Sequence, residues 1–267
     1  MASPLALYTH YVSISLRSQM QYRVSFILGT MGQLLGTAVE FIGILALFDR
    51  FGSLSQWSLA EVAFFYGLVN VAFAVTDMLS RGFDHVGDLV RTGEFDRMLL
   101  RPRSTVLQLI GQEFTLKRFG RFLQGGGVLL WSALYLDIAW SPAVVALTAV
   151  TVICGACFFL GLFINIGTLS FWTTETLELM NVLTYGGIEA SKYPLAIYRT
   201  WFRRFFTLVI PMGCVTYFPV LAILGRPDPL GTSLAFQYTS PLFGLLYFVL
   251  SLFIWRLGLR HYRSTGS

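Results

Sequence analysis

The chain has 267 residues, of which 55% are hydrophobic and 16% aromatic but only 12% charged, with a formal net charge of +5. An ordinary soluble domain carries roughly 25% charged residues, so too few polar side chains remain to cover a globule of this length. These proportions exclude a soluble domain and predict an all-α polytopic membrane protein whose main solvent is lipid. Three cysteines, Cys154, Cys157 and Cys214, lie in apolar surroundings and make no disulfide framework.

The first apolar run of membrane length begins near residue 24, so no cleavable leader is expected before it. Within residues 1–23, His10, Ser13, Arg17 and Gln21 share one helical face and Leu5, Tyr8, Val12 and Leu16 another. This periodicity predicts an amphipathic interfacial helix, with a frayed polar tail as the alternative. A hydrocarbon core about 30 Å thick takes about 20 apolar residues per helix. Six stretches meet that length, at about 24–47, 61–80, 121–138, 143–171, 204–224 and 241–258. Their apolar residues are continuous rather than alternating, which excludes a β-barrel.

Span one carries Glu40, an acid well inside a helix, and burying such a charge costs about 3 kcal/mol or more. It is a candidate for the translocation path or, lying in the outer third, for contact toward Arg50. Gly29, Gly32 and Gly36 in the same span allow close helix contact, within the chain or with another copy. Asn70 and Asp77 in span two and Asn165 in span four are further lining candidates, Asp77 close enough to the end to be merely interfacial.

Residues 81–120 are the most polar stretch, with five acids among seven basic residues before Arg121 and apolar residues interleaved. Breaks at Gly93 and Pro102 predict short amphipathic helices on the cytoplasmic face, with Ser104 capping the next one toward span three. Such helices suit docking in a groove of a soluble partner; the alternative is a solvated loop that only fixes topology. In span four, the Cys154-x-x-Cys157 spacing lies inside an apolar helix with no second ligand pair and is read as packing, so no metal site is expected. Residues 172–203 are expected to form a second cytoplasmic segment, whose Glu175 and Glu178 stand one helical turn apart and are candidates for the cytoplasmic mouth or for pairing with Arg203 and Arg204. Pro211 and Pro219 should kink span five.

With the N-terminus inside, 17 of the 19 basic residues fall on the cytoplasmic side and only Arg50 and Arg226 outside. Lysine and arginine are retained on the cytoplasmic side, so both termini are expected there, with no nucleic-acid partner. The only lysines, Lys117 and Lys192, follow Leu116 and Ser191, so no phosphate-binding G-K-[ST] loop exists. No H-E-x-x-H or G-x-S-x-G occurs either, so no catalytic residue is expected in the chain.

The stretches R-T-G-E-F-D-R-M-L-L-R-P from Arg91 to Pro102, F-W-T-T-E from Phe171 to Glu175, Y-G-G-I-E-A-S-K-Y-P from Tyr185 to Pro194 and L-G-R-P-D-P-L-G from Leu224 to Gly231 are similar to the six-span permeases of type-2 ABC exporters. The resemblance covers nearly the whole chain. It implies half of a transmembrane dimer with a separate ABC ATPase pair beneath, where ATP and Mg are bound, and a second permease that is identical or related. The coupling helix carries over to the region of Asp84, Asp88, Arg91, Gly93, Glu94, Phe95, Asp96, Arg97 and Arg101, and the interfacial connecting helix to residues 4–22. Residues 225–240 are too few and too polar for the re-entrant hairpin that many type-2 permeases carry before the last span. The expected function is a permease for an amphipathic or hydrophobic substrate, a drug-like compound or a lipid, in the bacterial cytoplasmic membrane. The competing expectation is a membrane scaffold or regulatory subunit that docks a cytoplasmic partner and transports nothing.

Overall fold

A computed structural model describes residues 13–14, 17–112, 115–173 and 186–262. Most of the expected interfacial helix, and both Glu175 and Glu178, lie outside the described residues. The rest is helical, with one isolated bridge between Leu54 and Trp57.

Helix α1, Arg23–Phe51, ends where Gly52, at a φ of 73°, donates its N–H to the Phe48 carbonyl. It is peripheral: only 17% of its apolar window is buried, against 83% for α2, Leu59–Leu79. Helix α2 starts at a capping box in which Ser58 accepts from the Glu61 N–H at 3.3 Å and Glu61 accepts from the Ser58 N–H at 2.8 Å. It forms the middle of the bundle. Helix α7, Phe119–Tyr135, packs antiparallel on it, and a Cβ at Gly67 would meet the Leu129 backbone N at 2.6 Å. In lipid such close approach matters more than hydrophobicity, because the tails are as apolar as leucine.

Helix α8, Pro142–Leu169, begins at an Ser141 cap with proline in its first turn. Its residues Gly155 and Gly167 face Ala72 and Phe83, so it descends beside α2 in the same direction. Helix α14, Leu242–His261, descends likewise, with Gly244 against Cys154, Ser251 against Gly161 and Gly258 against Thr168. These registers define two ends. At one lie 80–118, Phe171 and Tyr262; at the other lie 52–58, 136–141 and 225–233. At 1.5 Å per residue α2 alone spans about 31 Å, the depth of a hydrocarbon core.

At the first end four short helices follow α2: α3 (Arg81–Asp84), α4 (Val86–Arg91), α5 (Glu94–Leu99) and α6 (Thr105–Gln112). A 3-10 turn, Leu116–Arg118, leads from them into α7.

Two expectations of the sequence are corrected after α8. The stretch expected as a second cytoplasmic segment does not stay at the 80–118 end. Thr173 is there, but helix α9, Gly187–Ser191, packs on Met212 inside the bundle, and Ala196 and Ile197 line a cleft with Ser55, Gln56, Trp57 and Arg226 at the opposite end. The apolar run expected as a single fifth span is a pair of segments. Thr200–Val209 comprises helix α10 (Thr200–Arg204) and a π turn (Phe205–Val209), and Met212–Leu224 comprises α11 (Met212–Val215) and α12 (Tyr217–Leu224), with a 75° bend between them. The chain enters this pair beside Ile197 and leaves it beside Arg226, both at the 52–58 end, so the pair folds back instead of crossing. Its tip is Pro211, which lacks the N–H that a continuous helix requires. Val215, just past the tip, stands against Gly244, as does the Cys154 carbonyl, and Cys154 is about 18 Å along α8 from its start. The hairpin that the polar stretch 225–240 could not supply is therefore built upstream of it; that stretch contributes only α13, Leu234–Thr239.

Candidate functional site

The helices α3 to α6 present two unlike faces. Their inner face is apolar: Phe83, Val86, Leu89, Phe95, Met98 and Leu109 are buried. Phe95, wholly buried, stands 5.3 Å from Phe171, 6.3 Å from Trp255 and 5.2 Å from Tyr262, ring to ring. Trp255 donates to the Thr105 hydroxyl at 2.9 Å, and Tyr262 donates to Asp96 at 2.8 Å. Burial, with that bond to Asp96, pushes the Tyr262 phenol up to about 12. Of the residues read as coupling residues, Phe95 and Asp96 thus fasten the segment to the last helix.

The outer face carries the rest of the charge. Asp88, Arg91, Glu94, Arg97 and Arg101 are exposed, and Asp88 and Arg91 pair at 2.9 Å. Glu94, Arg97 and Arg101 rim a cleft of about 370 Å³ floored by Leu89, Met98 and Gln108. Gly93 takes a φ of 73° between α4 and α5, a left-handed turn that a side chain would strain. Asp84 pairs with Arg81 at 2.7 Å, and burial pushes its carboxyl above the usual range against the pull of that arginine. Arg81 also reaches Asp77, at 3.5 Å, and Asp77 takes Arg118 at 3.2 Å, so one buried acid ties α2 to both flanks of the segment.

Inside the bundle the four expected lining residues do not share a surface. Asn70 is fully buried between α2 and α7, donating to the Tyr66 carbonyl at 2.9 Å. Asn165 donates to the Tyr247 hydroxyl at 3.0 Å, between α8 and α14. Asp77 is occupied by its arginines. Glu40 is different. Its Oε2 accepts from Lys192 Nζ at 2.7 Å, and the same ammonium reaches Glu189 Oε1 at 2.5 Å and lies 5.4 Å from the centre of the Tyr66 ring. The Lys192 side chain is 2% exposed, but those of Glu40 and Glu189 are 36% and 59% exposed. Two carboxylates therefore open onto the α1–α9 face while their shared cation is closed off behind them. Glu40 is not directed to Arg50, which lies over the Phe51 ring.

No group of three or more His, Cys, Asp or Glu able to hold a metal occurs among the described residues. A family profile described as "ABC-2 family transporter protein" matches residues 34–266. The chain belongs to the ABC-2 transporter family. Neither the curated proteins nor the solved structures give a match to it. ABC-2 membership makes this a multi-pass membrane protein of the permease kind, generally the non-catalytic component of a transporter, and it implies work with an ABC ATPase subunit.

In the ABC-2 protein, sequence reasoning found Glu40 but missed Lys192 and Glu189 as its partners. The signal was present: Glu189 stands three residues before one of only two lysines in the chain, the spacing of an ion pair on a helix. The expected placement of 172–203 on the cytoplasmic side hides it, because Glu40 lies in the outer third of its span. Arg226, read only as an outer charge, pairs with Glu61 at 3.1 Å and lies over the Trp57 ring at 4.4 Å, closing the far end.

Proposed function

We propose that this chain is the permease subunit of an ABC exporter, one half of a transmembrane path driven by a separate ATPase pair seated under α3 to α6. The observation that carries the reading is the two-faced segment. Its outer row of Asp88, Arg91, Glu94, Arg97 and Arg101 offers charge to a soluble partner, and its inner face is locked to α14 through Phe95, Trp255 and Tyr262. A push on the outer face is thereby delivered to the last helix and, through Asp77, to α2.

The path runs along the α1–α9 face. Carboxylates part-way through a span do not face hydrocarbon, and Glu40 and Glu189 open there. Gly32, Gly36 and Gly43 on α1 have nothing within 4 Å of a built Cβ, leaving room for a second permease, identical or related, to close the path. The chain crosses six times: α1, α2, α7, α8, once between Thr173 and Ala196, and α14. The 80–118 end and both termini are cytoplasmic, and the membrane is the bacterial cytoplasmic one. The substrate is amphipathic or hydrophobic.

Co-purification tests the reading. An ABC ATPase should come down with the wild type and be lost from a triple variant, Glu94→Lys, Arg97→Glu and Arg101→Glu. Retention of the ATPase by that variant removes the coupling role from α5. An ATPase that binds but drives no nucleotide-dependent movement of substrate leaves a scaffold that transports nothing.

A further inference from the structure

The α1 helix begins beside a groove of about 920 Å³ whose lining includes Tyr22, Arg23, Ser25, Leu28, Gly29 and Lys117. Two properties set this groove apart from the other clefts. First, it holds two cations and no acid, and neither Arg23 nor Lys117 has a carboxylate within ion-pair distance among the described residues. Second, its wall is apolar and open: Val24 and Leu28 are 71% and 64% exposed and lead into the exposed row Met31, Leu35, Val39 along α1.

Its depth in the membrane follows from the helix. At 29 residues α1 is about 44 Å long, well beyond a core of about 30 Å, so its first turns stand in the headgroup zone at the 80–118 end. The aliphatic stem of Lys117 lies across α1 at Gly29, where a built Cβ would be 2.8 Å from its Cδ and 3.0 Å from its Cγ. The missing side chain is what lets that stem lie flat on the helix, in the manner of a lysine reaching toward the interface. Gln19, which accepts the Leu116 N–H at 2.9 Å, holds the chain before α1 against the same turn.

We propose that this groove binds an anionic phospholipid, its phosphate between Arg23 and Lys117 and an acyl chain along Leu28, Met31 and Leu35. A free anion would use the two charges but leave the apolar wall unmatched; a zwitterionic lipid would use the wall but bring no net charge. Clustered basic residues at the inner interface favour anionic headgroups. The site is independent of whether the chain transports anything, since it requires only that α1 enters the membrane here.

The test is titration of the purified full-length protein with phosphatidylglycerol and with phosphatidylcholine, read by native mass spectrometry. Phosphatidylglycerol should bind more tightly, by on the order of tenfold given two cations near the surface. The double variant Arg23→Gln/Lys117→Gln should lose that preference while keeping its elution volume and thermal transition. Gly29→Leu, which keeps both charges but displaces the Lys117 stem, should weaken it as well. Equal binding of the two lipids by the wild type, or an undiminished preference in the double variant, would overturn the proposal. Displacement of phosphatidylglycerol by millimolar inorganic phosphate would overturn the lipid in favour of a plain anion site.

Discussion

Replacing Lys192 by methionine is the sharpest probe of the intramembrane charge cluster. The ammonium is 2% exposed and stands 2.7 Å from Glu40 and 2.5 Å from Glu189. Its removal leaves two carboxylates that were held at one nitrogen with no counter-ion, and their like charges repel. Breaking a fully buried pair from one side costs about 3–5 kcal/mol. Here the acids are 36% and 59% exposed, so screening brings the expectation down to about 2–3 kcal/mol. Glu40→Gln should cost only about 1 kcal/mol, because Lys192 keeps Glu189. The double variant should then cost less than the two singles together, with a coupling of about 1–2 kcal/mol. Thermal unfolding of the four proteins in one lipid nanodisc composition gives the cycle. Additivity within about 0.5 kcal/mol, or a Lys192→Met protein that unfolds with the wild type, would refute an ion pair joining α1 to α9.

Phe95→Ala should cost about 3–5 kcal/mol, since a wholly buried ring in contact with three others leaves a cavity; Phe95→Leu should cost clearly less, and limited proteolysis at 81–112 should rank the three proteins in that order. Gly93→Ala should cost about 1–2 kcal/mol through its φ of 73°, measured as a lowered thermal transition, whereas Gly32→Ala, with open space around it, should leave the isolated protein unchanged. Gly67→Leu should prevent a folded product, because the added Cβ alone meets the Leu129 backbone at 2.6 Å; a monodisperse peak for that variant would contradict the α2–α7 packing.

The all-helical membrane class was legible because runs such as 61–80 and 143–171 are apolar without alternation. What hydropathy does not record is direction. Residues 204–224 have the composition of a span whether they cross or fold back, and only the contacts of Ile197 and Arg226 at one end distinguish the two. The same blindness hid the site. With 172–203 expected as a second cytoplasmic segment, Lys192 counts as a topology charge on the side away from Glu40, and the partner that lies 152 residues further along the chain stays hidden. In the 81–112 segment the chemistry was readable but the faces were not. Phe95 and Asp96 sit among exposed charges in sequence, and it is the long-range ring contacts with Phe171, Trp255 and Tyr262 that turn them inward.

Moving Lys192, Arg199, Arg203 and Arg204 to the far end shrinks the basic asymmetry of the loops, yet the charge distribution still favours the proposed orientation. Among the described residues the 80–118 half holds twelve basic side chains against five acids, and the far half holds six against six. Two of those six far-half cations are occupied: Lys192 by Glu40 and Glu189, Arg226 by Glu61. Arg81, Arg91 and Arg118 of the 80–118 half are paired with acids as well, and retention follows the number of basic residues rather than the net charge, so twelve against six is the figure that bears on orientation. Arg23 and Lys117, by contrast, have no acid beside them among the described residues, and they stand at the start of α1. In the proposed orientation, the positive charge that would hold this end in the cytoplasm is the same charge proposed to seat a phosphate. Neutralising Arg23 and Lys117 should therefore weaken lipid binding first and topology only afterwards, because ten other described basic residues remain on that side.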